Sequence, residues 1–141
     1  MAPVRVLEYR VNYASENAAS VGTRLSGIVV FTSRAESHKG YCHGGSMCSV
    51  MDDIIGWTGF CVSGKCVPWS GFTVQVNCNL LKPVQVGKIL RLDCVIDKVE
   101  RRKVFVSAIL HDPESALNTE SCIHAKGEGM VVVNRGVLPG H

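Results

Sequence analysis

The chain has 141 residues, 46% of them hydrophobic and 19% charged, with a formal net charge of +3. That length suits one domain able to bury roughly two-thirds of its unfolded surface, and the composition excludes a disordered chain. The small, scattered excess of positive charge does not by itself point to nucleic acid, although it permits an anionic small ligand.

Residues 1–22 show weak periodicity, interrupted by Asn17, Ser20 and Gly22, and are expected to form an arm or a short helix. Residues 25–31 read as a first strand, and 33–45, rich in Ser, His and Gly, as a loop leading into a helix over 46–61. On that helix Met47, Val50, Met51, Ile54, Thr58 and Cys61 follow the three-and-four spacing of a buried face, and Asp52 borders it. A carboxylate there is costly unless partnered or used. Gly56, Trp57 and Phe60 make the helix apolar nearly all round, a surplus that calls for oligomerisation or for a sheet curled about it.

Ser63-Gly64 marks the helix end, and four strand-like runs follow, at 72–81, 89–99, 103–111 and 119–133. Pro83 and Gly87, the Glu100-Arg101-Arg102 turn and Asp112-Pro113 separate them. In the first run Thr73, Gln75, Asn77 and Asn79 alternate with Val74, Val76, Cys78 and Leu80, the pattern of a sheet with one covered face. The sum is an α+β domain over 23–135, one long helix wrapped by an antiparallel meander, with 136–141 as a tail.

The seven cysteines are widely spread with no Cys-x-x-Cys pair, unlike a disulfide framework or a zinc knuckle, and are expected to be reduced thiols. Cys42, His43 and Cys48 have poor spacing for zinc, so no metal is expected. No run approaches 18 apolar residues, and Glu8 and Glu16 interrupt any early signal core, which argues against a membrane-inserted or secreted chain. Arg5 and Arg10 leave cytosol and mitochondrion both open.

The most informative segment is His43-Gly44-Gly45 with Asp52 nine positions after the histidine. Three others stand in order behind it: residues 76–84 (Val-Asn-Cys-Asn-Leu-Leu-Lys-Pro-Val), residues 97–107, and Thr119-Glu120-Ser121. Together, over about residues 25–133, the chain resembles the hotdog-fold acyl-CoA thioesterases of the phenylacetate-pathway and mammalian mitochondrial thioesterase-superfamily branch.

The resemblance implies a hotdog fold, with the sheet wrapped around the central helix, and hydrolysis of an acyl-CoA to an acid and free coenzyme A. Coenzyme A then enters as part of the substrate, with no separate cofactor. Asp52 matches the family's catalytic carboxylate, a general base or nucleophile. Gly44 matches the residue whose backbone N–H polarises the thioester carbonyl at the positive end of the helix. Thr73 matches a hydroxyl that holds the attacking water, and His43 is expected to orient the loop or to hydrogen-bond near the site. Lys98, Arg101, Arg102 and Lys103 match a segment lying along coenzyme A, and Lys126 aligns with another contact to it.

The family further implies a homodimer or dimer of dimers with its site at a subunit interface, while the charge and the apolar runs lead to no expectation of nucleic acid or of stable membrane insertion. One subunit's helix would bring Gly44 and Asp52, and its partner's strand Thr73. The chain departs from the pattern in having Ser37 where some relatives carry Asn, Asp53 directly after Asp52, and a segment between Phe60 and Phe72 that is about three residues longer. Two other readings stay open: a hotdog hydratase or dehydratase using His43 with an acid, and a non-catalytic acyl-CoA-binding module with Trp57 and Trp69 at a docking surface.

Overall fold

The computed structural model describes residues 2–14, 20–113 and 120–139. Six antiparallel strands form one sheet: β1 (Val4–Asn12), β2 (Arg24–Phe31), β3 (Gly71–Leu80), β4 (Ile89–Glu100), β5 (Lys103–His111) and β6 (Ile123–Val133). They lie in the order β1-β2-β4-β5-β6-β3. The single long helix, α1 (Gly44–Gly59), packs on one face.

Alternation builds the core. Leu25, Gly27, Val29 and Phe31 of β2, Leu90, Leu92, Cys94 and Ile96 of β4, and Val104, Val106, Ala108 and Leu110 of β5 are buried towards the helix, while the residues alternating with them, His111 excepted, are only half-covered or exposed. Met47, Val50, Met51, Ile54, Ile55 and Thr58 of α1 close the layer from above. Each such aliphatic side chain contributes on the order of 1.5–3 kcal/mol by leaving water.

Three expectations are corrected. The expected arm or short helix contains β1, an edge strand paired with β2. The pairing slips between Val6 and Glu8, so Leu7 bulges and the period-two pattern breaks in mid-strand. The strands are not a simple meander, because β3 crosses to the far edge and pairs only with β6. The last strand begins at Ile123, preceded by a 3-10 turn over Glu120–Cys122, so Glu120, Ser121 and Cys122 lie outside β6. Thr119 falls outside the described residues.

Two buried histidines tie the ends of β4, β5 and β6 together. His111 Nε2 donates to Asp93, which also accepts from Ser26 Oγ at 2.7 Å, and His111 Nδ1 donates to the Asp112 carbonyl at 2.8 Å. His124 donates from Nε2 to Asp112 Oδ1 at 2.8 Å and from Nδ1 to the Pro83 carbonyl at 2.9 Å. Burial alone would raise the Asp93 carboxyl, but His111, Ser26 and Arg91 outweigh it and hold the group below the usual range.

Candidate active site

The start of α1 is built by His43. As N-cap it accepts the Gly45 N–H on Nδ1 at 2.9 Å, and its own carbonyl takes the Ser46 and Met47 N–H groups at 3.0 and 3.4 Å. In the structure His43 thus serves as the cap of the helix. The Gly44 N–H has no partner among the described residues, and no acidic side chain occupies the first turn. A free N–H at a helix N-terminus is suited to a developing oxyanion.

The helix then runs along β3 in the opposite sense. At its start, a Cβ on Gly44 would lie 2.8 Å from Leu80 Cδ1, and at its far end a Cβ on Gly56 would lie 3.4 Å from Thr73 Oγ1. Glycine inside a helix costs about 1 kcal/mol against alanine, so Gly56 was a signal of close approach that the sequence reading did not use. Between these points the Met51 methyl reaches Gly127, the β6 partner of Cys78, and sets the middle of the helix against Val76 and Cys78.

Asp52 stands in this seam, one turn from Gly56, and is exposed in the chain as described. Its own chain therefore does not supply the covered environment expected for it. The adjacent Asp53 faces the other edge of the sheet, where Tyr9 Oη on β1 donates to its Oδ2 at 3.4 Å. Burial and the negative charge of Asp52 push the Asp53 carboxyl up, against the opposing effect of the Tyr9 hydrogen bond.

Strict alternation put Thr73 on the same face as Gln75. The structure turns it over. The β3–β6 register slips between Thr73 and Gln75, so Val74 bulges outward and the half-buried Thr73 faces the helix. Beyond Gly56 the seam ends in Trp57, Phe60 and Trp69, whose ring centroids lie 5.4–5.8 Å apart. Trp69 is 75% exposed and holds φ at 61°, an uncommon conformation for a bulky residue.

The basic residues divide between two places. Lys98, Arg101, Arg102 and Lys103 occupy the β4–β5 hairpin, whose Arg101 turns with φ 56°. Lys98 Nζ is 3.3 Å from Glu100 and 5.5 Å from the Phe105 ring centroid, both contacts being solvent-exposed and individually weak. Through Lys103↔Val132 and Phe72↔Val132 the hairpin stands at the Thr73 end of β3, whereas Lys126 pairs with Asn79 at the Gly44 end. Ser37 is exposed in the loop before the helix, its N–H donating to the Tyr41 carbonyl at 3.0 Å.

Six antiparallel strands wrapped around one helix are a hotdog fold. The chain belongs to the thioesterase superfamily, whose family model matches residues 39–118. It is 28% identical over 95 residues to human acyl-coenzyme A thioesterase THEM5, covering 67% of this chain but only 34% of that protein. The chain thus spans about a third of the length of the curated relatives it matches. Among solved structures it is similar to zebrafish thioesterase superfamily member 2, at TM-score 0.68 and 17% identity over 94% of this chain and 82% of the other. A Streptococcus mutans protein bound to acetyl CoA is similar at TM-score 0.66 and 18% identity, over 92% of each chain.

Proposed function

We propose that the chain hydrolyses an acyl-CoA thioester, with the Gly44 N–H polarising the carbonyl, Asp52 acting as base or nucleophile and Thr73 holding the attacking water. The observation that carries this reading is the unpartnered Gly44 N–H at the capped start of α1, in a chain of this superfamily. A hydratase using His43 with Asp52 is disfavoured within one chain. His43 Nδ1 is engaged in capping, and the nine-residue step from His43 to Asp52 spans about 13 Å along the helix.

The site requires two copies of the chain. Gly44 and Gly56 are twelve residues apart, about 18 Å along the helix, and their β3 neighbours Leu80 and Thr73 are about 23 Å apart along the strand. Asp52 is nearer the Thr73 end. The allocation is therefore Gly44 from one copy, with Asp52 and Thr73 from the other, rather than Gly44 and Asp52 together. Antiparallel self-pairing of β3 about residues 76–77 would set Thr73 opposite the partner's Leu80 and so bring the two halves together. The free β3 edge, with Phe72, Val74, Leu80 and Leu81 exposed, supports such a pairing. The same operation would bring the hairpin cations of one copy towards Lys126 of the other, a basic lining suited to the phosphates of coenzyme A.

The test is thiol release from a panel of short- to long-chain acyl-CoAs. Asp52→Asn is expected to lower kcat about 10³-fold while leaving the melting temperature unchanged. Wild-type rates in that variant would falsify the assignment of Asp52, and no thiol release by the wild-type chain from any member of the panel would end the thioesterase reading.

A further inference from the structure

Cys48 follows Gly44 by one helix turn and precedes Asp52 by one, so it lies on the α1 face that runs along β3. With Gly44 against Leu80 and Gly56 against Thr73, even spacing along the seam brings Cys48 beside Cys78, and the Met51 methyl near Gly127, the β6 partner of Cys78, independently sets the same register. The two glycines allow the close approach of helix to strand that a short link between them needs. Cys78 is half-buried and packs against the core, and Cys48 is half-buried one turn from an exposed Asp52. Burial, reinforced by interaction with the Cys48 thiol, pushes the Cys78 thiol up to about 11.

We propose that Cys48 and Cys78 are a redox-modifiable dithiol that hydrogen peroxide converts to a disulfide, joining α1 to β3 beside Asp52. Cys48, which unlike Cys78 is not among the side chains packed against the core, reacts first: its sulfur attacks peroxide, giving a sulfenic acid and one water. The Cys78 sulfur then displaces the sulfenic oxygen as a second water, closing the S–S bond, so that two thiols lose two electrons and two protons to one peroxide. Cys61 and Cys66, the other close pair, lie in the loop beyond the helix rather than in the seam. A seam that admits a thioester to Asp52 also admits peroxide. A disulfide there fixes the Cβ–Cβ separation near 3.8 Å and so sets the spacing of helix and strand on which Asp52 and Thr73 depend. The effect on turnover rests on the thioesterase reading given above, whereas the crosslink does not.

The experiment treats the full chain with equimolar hydrogen peroxide, blocks remaining thiols and maps peptides without reduction. The expected result is a Cys48–Cys78 linked peptide, lost on dithiothreitol treatment, with turnover reduced about tenfold when oxidised and restored on reduction. Cys48→Ser and, separately, Cys78→Ser are expected to keep reduced turnover within about twofold and to abolish the oxidative loss. Absence of the linked peptide, or a Cys61–Cys66 peptide in its place, overturns the proposal whether or not the chain turns over acyl-CoA. A linked peptide with unchanged turnover in an active enzyme overturns the switch.

Discussion

The two edges of the sheet use adjacent carboxylates in opposite ways. At the β1 edge Asp53, though exposed like Asp52, accepts a hydrogen bond from Tyr9 at 3.4 Å, which fits a structural role. At the β3 edge Asp52 is exposed, the strand carries uncovered Phe72, Val74 and Leu80, and the Gly44 N–H lacks a partner among the described residues. A helix turns by about 100° per residue, so two acids in succession must serve different faces. The edge that its own chain leaves unfinished is the one with chemical groups to spare.

The sharpest challenge to this contrast is Gly44→Pro. Proline is tolerated at the first helical position, and the preceding His43, at φ −63° and ψ 132°, already has the extended backbone it requires. The variant deletes the N–H, and its added Cβ, 2.8 Å from Leu80 Cδ1, requires the exposed Leu80 side chain to swing aside; kcat is expected to fall about 10²–10³-fold while stability changes by less than about 1 kcal/mol. Mixing it with Asp52→Asn, after dissociation and reassembly, tests the two-copy arrangement. A mixed pair holds one intact site if Gly44 and Asp52 of each site come from different copies, restoring about a quarter of wild-type activity. No recovery would mean that both come from one copy.

Thr73→Val is expected to cost about tenfold in kcat, the worth of one hydrogen bond to the attacking water, with Thr73→Ser retaining most of the activity. Equal losses in both variants would assign Thr73 to packing against Gly56. The smallest effect belongs to the other edge. Asp53→Asn is expected to leave turnover within about twofold, whereas a loss like that of Asp52→Asn would erase the distinction between the edges. Because the fold raises the Asp53 carboxyl, it disfavours the charged form, and the folded chain binds the proton more tightly than the unfolded one. The wild type accordingly bears this penalty above the ordinary carboxylate range. Melting curves should show the Asn variant gaining on it at neutral pH, with the gap closing as the pH falls through that range.

Much of this could be read in advance, and two of the failures share a cause. The helix and strands β2 to β5 were legible because their apolar residues keep the periods of 3.6 and 2. β1 was not, because the bulge at Leu7 shifts its phase, and Thr73 was assigned to the wrong face because the bulge at Val74 does the same. Alternation shows that β3 is a strand but not which strand it joins, so its place beside β6 at the far edge had to be seen. The motif around His43, Gly44 and Asp52 was visible as residues. Their spacing along the helix, on which the proposed division between copies rests, became informative only once Leu80 and Thr73 marked the two ends of the seam.

The crossing of β3 to the far edge also imposes a schedule. Its sheet partner is β6, which begins about forty residues after β3 ends, a delay of roughly two to eight seconds at ordinary rates of synthesis. During that interval β3 lacks its partner β6, and its apolar side chains are open to unwanted pairing. The strand that borders Asp52 thus stays unpaired until the last of the described strands, β6, has been made.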